Sequence, residues 1–181
     1  MRGVESVPYA IELYLDAEAS AKIEKIHSTL RNNGIHIDEG TSPHVSLCIY
    51  QDLPLDEFEG ALRRFAGELR PIDVTFPRVD AFRTAQPVIF LAPEAGTQLL
   101  DVHERFHNRF RTYRERVWQY YRPGVWIPHC TLCMDLSQEM FKKATELLKD
   151  LVLPIQARFE SIGILEFHPT KQLSVFDLGE I

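Results

Sequence analysis

Apolar and polar positions along the chain change period several times, and each change marks an element. From Ala10 to Leu15 they alternate, with Ile11, Leu13 and Leu15 on one face and Glu12 and Tyr14 on the other. That period of two predicts a half-buried strand. Asp16 then stands as an N-cap, and Ala19, Ile23, Ile26 and Leu30 recur at helical spacing until Asn33-Gly34. A strand is expected at about 44–50. Phe58, Leu62, Phe65 and Leu69 mark a second helix that starts near Pro54 and ends at Pro71. Ile72, Val74 and Phe76 begin a further alternating strand, expected to continue to about Phe82.

The order then starts again. Pro87 to Ala92 reads as a strand, and Leu99, Val102, Phe106 and Phe110 as a helix. A strand at about 129–134 follows, then a helix from about Ser137 to Asp150 with the stripe Phe141, Ala144, Leu148 and Leu151. Ile155, Ala157 and Phe159 begin the next strand, and Leu173 to Leu178 forms a last one. Each half therefore reads strand, helix, strand, helix, strand. This predicts an α+β protein with a duplicated two-lobe αβ fold: two antiparallel-rich sheets facing a central cleft, with helices on the outside. The joint at Arg83 to Gln86 looks like a tight turn, so one domain spanning 1–181 is expected, with lobes at roughly 1–84 and 85–181 by the sequence repeat.

The middle strand of each half carries the same five residues. Pro43-His44-Val45-Ser46-Leu47 returns 85 positions later as Pro128-His129-Cys130-Thr131-Leu132. On a strand, His44 and Ser46 share one face and Val45 and Leu47 the other, and His129 and Thr131 likewise oppose Cys130 and Leu132. A proline before each histidine suits a strand start. The same alternation points Cys48 and Cys133, two residues past each hydroxyl, toward the cleft side. His44 to Ile72 is 28 residues and His129 to Ile155 is 26, so the halves match in spacing as well as in order.

Two histidines facing each other supply a base and an acid for one reaction, because an unperturbed pKa of about 6.5 lets one be neutral while the other is protonated. Two hydroxyls beside them can hydrogen-bond the non-bridging oxygens of a tetrahedral anion. The set suits in-line displacement at a phosphodiester without a metal. His44-Val45-Ser46-Leu47 and His129-Cys130-Thr131-Leu132 resemble the paired His-x-Thr/Ser motifs of the 2H phosphoesterase superfamily, which includes bacterial 2′-5′ RNA ligases and cyclic nucleotide phosphodiesterases. The resemblance covers nearly the whole chain. It implies opening of a 2′,3′-cyclic phosphate, or reversible joining and cleavage of 2′-5′ linkages, with no metal or other cofactor. Carried over residue by residue, His129 is the expected base, His44 the expected acid, and Ser46 and Thr131 hold the phosphate. Many RNA-ligase-like members have an arginine just after the second motif, where this chain has Cys133-Met134. A non-catalytic nucleotide sensor using the same cleft is the alternative class. Tyr14, Arg83 and Trp126 are further candidates for binding substrate: Tyr14 by strand alternation, Arg83 as a phosphate ligand, Trp126 as a stacking ring three residues before His129.

Charge narrows the partner. Twenty basic against 26 acidic residues give a net charge of −6, which disfavours broad binding to long nucleic acid but leaves a small nucleotide or an RNA end. Arg105, Arg109, Arg111, Arg114, Arg116 and Arg122 gather with Tyr113, Trp118, Tyr120 and Tyr121 between them. That stretch reads either as a solvated helix face running into a loop or as a basic-aromatic flap over an anionic substrate. No apolar run approaches the roughly 18 residues of a membrane span. Met1 to Ser6 carries no signal-peptide pattern, and three cysteines make no disulfide framework. A cytoplasmic monomer with reduced thiols is expected.

One motif competes. His103-Glu104-Arg105-Phe106-His107 matches the His-Glu-x-x-His zinc protease signature and puts both histidines on one helix face. The histidine-and-glycine continuation is absent, and Leu99, Val102 and Phe106 give the helix a core side that leaves the histidines as outer residues. Cys130 and Cys133, three apart on a strand, point to opposite faces and make no zinc pair. No metal site is expected.

Overall fold

The computed structural model describes residues 8–37, 40–94, 96–167 and 169–180. The expectation for Met1 to Ser6 falls outside them. The elements in chain order are β1 (Tyr9–Leu15), α1 (Ala17–Asn32), β2 (His44–Tyr50), α2 (Leu55–Gly67), β3 (Ile72–Phe76), β4 (Arg78–Phe82) and β5 (Val88–Ala92). There follow α3 (Thr97–Arg109), two short 3-10 helices (Arg111–Arg116 and Gln119–Tyr121), β6 (Cys130–Cys133), α4 (Gln138–Leu148), β7 (Ile155–Glu166) and β8 (Lys171–Asp177). The apolar stripes of α1, α2 and α3 are buried throughout; in α4, Ala144 and Leu148 are buried while Phe141 and Leu151 are half-buried. Asp16 caps α1 by accepting from the Ala19 N–H at 2.9 Å and also accepts from the Arg158 N–H at 2.6 Å, so the cap ties the helix to β7. Ser137 caps α4 through the Met140 N–H.

The strands form two antiparallel sheets, giving the α+β class. The larger runs β2-β1-β7-β3, with β8 also on β7, and the smaller runs β4-β5-β6. The sheets cut across the sequence halves. β7 and β8, from the second half, lie with β1, β2 and β3, while β4, from the first, joins β5 and β6. The cause is Pro77. A proline has no N–H for the ladder, so the strand expected from Ile72 to Phe82 breaks there. β3 stays beside β7, with Ile72 opposite Phe159 and Phe76 opposite Ile155, and β4 crosses to the other sheet. The result keeps the repeat in a linked form: β2-β1-β7 matches β6-β5-β4, and each ribbon takes its third strand from the other half.

Each motif strand contains one bulge at the same place. Ile11 pairs with Cys48 and Glu12 with Ser46, so Leu47 is the extra residue. Ile89 pairs with Cys133 and Phe90 with Thr131, so Leu132 is its counterpart. An extra residue shifts the alternation by one for everything after it. Cys48 and Cys133 therefore face the core with Ile11 and Ile89, not the cleft as plain alternation predicts. The cysteines are free thiols, all buried, and burial pushes Cys130 and Cys133 up to about 12. Among the described residues, no helix is long and apolar enough to cross a membrane.

Candidate active site

β2 and β6 are edge strands of their sheets and lie against each other. Because each bulge comes after its hydroxyl, the His-x-Ser/Thr alternation survives. His44 and Ser46 stand opposite Tyr14 and Glu12 on the face away from the core, and both Ser46 and Thr131 are half-buried.

The two histidines are held by the same device. Nδ1 of His44 is 2.7 Å from the carbonyl oxygen of Ser42, and Nδ1 of His129 is 2.7 Å from that of Ile127. A carbonyl oxygen can only accept, so Nδ1 carries a hydrogen in both rings and Nε2 is the ring nitrogen turned away from that anchor. In each case the anchoring carbonyl lies two residues upstream, across Pro43 or Pro128, whose fixed φ holds the approach to the strand.

The surroundings of the two rings differ. His44 Nε2 is 3.2 Å from Oε1 of Glu12, Thr41 Oγ1 is 3.2 Å from His44 Nδ1, and the Tyr14 ring meets the imidazole edge-on at 6.1 Å. His129 instead sits against Phe82 and Phe90, with ring centroids 5.1 and 5.3 Å away. Burial holds the His129 pKa below the ordinary histidine value; the Ile127 carbonyl opposes this, and the charge on nearby His44 reinforces it. A depressed pKa keeps this ring neutral, with a free lone pair on Nε2, at neutral pH.

The other candidates are placed as follows. Tyr14 is almost wholly buried, its hydroxyl 2.8 Å from Glu12 Oε2 and 2.8 Å from Gln172 Oε1; burial first, then the Glu12 charge, pushes its pKa up. Gly163 on β7 makes room for it, since an added Cβ would lie 2.9 Å from Tyr14 Cε2 and 2.4 Å from the Ser174 carbonyl oxygen. Trp126 donates its indole N–H to the Ser46 carbonyl at 3.1 Å, and one ring face is stacked on His103 at 3.9 Å and 2°. It thus braces β2 from the side. Arg83 is not brought to the histidines: it is exposed, with its guanidinium over the Phe141 ring of α4 at 5.6 Å.

His103 and His107 face inward, against the expectation of outer residues. His103 is 4% exposed, its Nε2 is 3.0 Å from the Tyr121 carbonyl and 3.1 Å from His107 Nε2, and burial and the His107 charge lower its pKa to about 4. The pair ties α3 to the segment carrying Tyr121 and Trp126. Among the described residues no three His, Cys, Asp or Glu side chains converge as a metal site. In the arginine-rich stretch, Arg109 pairs with Glu68, Arg116 with Asp52 and Arg105 with Asp101, and the Trp118 N–H donates to the Ile49 carbonyl at 2.9 Å. The stretch is pinned to the end of β2, with Tyr120 72% exposed.

Three residues near the histidines escape a reading of the sequence: Glu12, Thr41 and His27, whose Nε2 is 3.3 Å from the Thr131 carbonyl. Glu12 was visible as a carboxylate on the polar face of the first strand. Only the pairing of β1 with β2 shows that this face adjoins His44.

A duplicated fold with matched histidine strands at the joint of two antiparallel sheets is the architecture of a two-histidine phosphoesterase. The family model of the 2′-5′ RNA ligase superfamily matches residues 38–170, and the chain belongs to that superfamily. No curated protein matches the sequence. Among solved structures, E. coli LigT in its apo form is similar over 97% of this chain and 99% of its own, with 14% identity and a TM-score of 0.63. TT0787 of Thermus thermophilus is similar over 95% and 98%, with 17% identity and a TM-score of 0.64. E. coli LigT has also been solved with 3′-AMP, at 14% identity and a TM-score of 0.59 over 96% of this chain and 99% of that one.

Proposed function

We propose that the protein is a metal-independent phosphodiesterase that opens the 2′,3′-cyclic phosphodiester of a nucleotide or an RNA end. The observation that carries this reading is the matched pair of Nδ1 anchors, which turns Nε2 of His44, at the start of β2, and of His129, just before β6, away from the backbone as the reactive positions. His129, neutral in its apolar surroundings, takes a proton from water as the oxygen attacks phosphorus in line. His44 gives a proton to the departing ribose oxygen, and the P–O bond to that oxygen breaks. Ser46 and Thr131 donate to the non-bridging oxygens as their charge builds. The product is a ribose phosphate monoester with a free neighbouring hydroxyl. Binding of 3′-AMP by E. coli LigT supports a nucleotide carrying phosphate on its ribose edge as the kind of substrate this fold accepts.

The test is a substrate panel with chelator present: a free 2′,3′-cyclic nucleotide, an oligoribonucleotide ending in a 2′,3′-cyclic phosphate, and a 2′-5′-linked dinucleotide. Opening of either cyclic phosphate is the expected result. Turnover of the 2′-5′ linkage alone would replace this reading with a 2′-5′ phosphodiesterase or ligase, and binding with no turnover would replace it with a sensor.

A further inference from the structure

The bulges fix which residues of the two lobes are equivalent. Glu12 stands opposite Ser46, and Phe90 stands opposite Thr131, each one step beyond its bulge. The duplicated site therefore carries a change of chemistry beside its hydroxyls: a carboxylate in one lobe and a phenyl ring in the other. Glu12 is only 1% exposed. A carboxylate buried without partners costs several kcal/mol, on the order of the effective penalty per ion in proteins, so its contacts have to be good ones. They are the Tyr14 hydroxyl at 2.8 Å and the Thr41 hydroxyl at 3.2 Å on Oε2, and His44 Nε2 at 3.2 Å on Oε1. Thr41 also touches His44 Nδ1, so carboxylate, hydroxyl and imidazole form one closed set.

We propose that Glu12 is a positioning residue for the general acid: its buried carboxylate, 3.2 Å from His44 Nε2, holds the imidazole in place until the leaving oxygen displaces it as the acceptor of the Nε2 proton. Phe90, at the equivalent place, gives His129 no such partner, and an apolar neighbour is what a neutral base requires. This difference between the two lobes thus sets the direction in which the proton pair works. The inference rests on the two-histidine reading above.

It is tested by a double-mutant cycle on opening of a 2′,3′-cyclic nucleotide, with folding checked by circular dichroism and melting. Glu12→Gln keeps the shape and the contact with Tyr14. It is expected to lower kcat at least ~10-fold, the lower part of what a misplaced acid costs, while KM changes less than ~2-fold. In a His44→Ala background the same substitution should cost nothing more, because Glu12 acts only through His44. Tyr14→Phe, which removes the hydroxyl holding Oε2, should show a smaller loss that also vanishes without His44. It carries the test should Glu12→Gln fail to fold. Wild-type kcat in Glu12→Gln, or an equal loss with and without His44, would overturn the inference while leaving the two-histidine reading intact. Wild-type turnover by His44→Ala would overturn that reading, and the inference with it.

Discussion

At the scale of single residues, the site is built from short-range constraints that repeat. A histidine whose Nδ1 is tied to a carbonyl two residues upstream has its tautomer and ring plane set locally, before any lobe packs on another. The neighbours then divide the labour. Phenyl rings and burial keep His129 neutral, and a carboxylate faces His44. In the proposed mechanism the hydroxyls act one step removed from proton transfer. Ser46→Ala or Thr131→Ala is therefore expected to lower kcat less than loss of a histidine, by about 10-fold against the roughly 10²–10⁴-fold typical of a general acid or base. Steady-state kinetics on a cyclic nucleotide checks this. A Ser46→Ala loss as deep as that of His44→Ala would assign the hydroxyl a direct part in the proton transfer.

At the scale of elements, α3 and the segment after it act as a brace. His103 and His107 hold Trp126 and Tyr121, and Trp126 in turn is bonded to β2. A buried neutral histidine makes folding pH-dependent in a definite direction. His103 has a folded pKa of about 4, below its unfolded value, so the unfolded chain binds the proton more readily. The stabilisation is complete above the unfolded value and is lost as pH falls from there toward about 4. The displacement from about 6.5 corresponds to roughly 3 kcal/mol at most. His103→Phe, which keeps a ring against Trp126, should lose less stability than the wild type between pH 7 and pH 4.5 in urea unfolding. Parallel losses in the two proteins would contradict the account.

The same element scale shows what the sequence could and could not reveal. Helix stripes such as Ala19-Ile23-Ile26-Leu30 and Phe58-Leu62-Phe65-Leu69 were legible because each depends only on its own period. The histidine strands were legible because the chain states them twice. The bulges were not, since an extra residue in a ladder is defined by the partner strand, and so Cys48 and Cys133 were assigned the wrong face. Glu12 was hidden for the same reason: its meaning depends on which strand lies beside it. Pro77 was a visible break, yet nothing local says that the chain beyond it changes sheets.

At the scale of the whole molecule, exchange of third strands joins the halves. β4 leaves the first half for the second sheet, β7 leaves the second half for the first, and β3 pairs with β7 where they pass. Neither histidine strand belongs to a lobe that could move off alone, which suits a reaction in which two side chains act on one phosphorus. A net charge of −6 supplies no attractive long-range field for a phosphate-bearing molecule. The central claim is that His44 and His129 act as a pair on one phosphodiester without a metal. It is tested most directly by comparing kcat of the wild type, His44→Ala, His129→Ala and the double variant on a 2′,3′-cyclic nucleotide in the presence of chelator. The account predicts that each single change costs roughly 10²–10⁴-fold and that the double variant is little slower than the slower single one, as for groups that work as a unit. Full activity in either single variant, or activity abolished by chelator and restored by added metal, would contradict it.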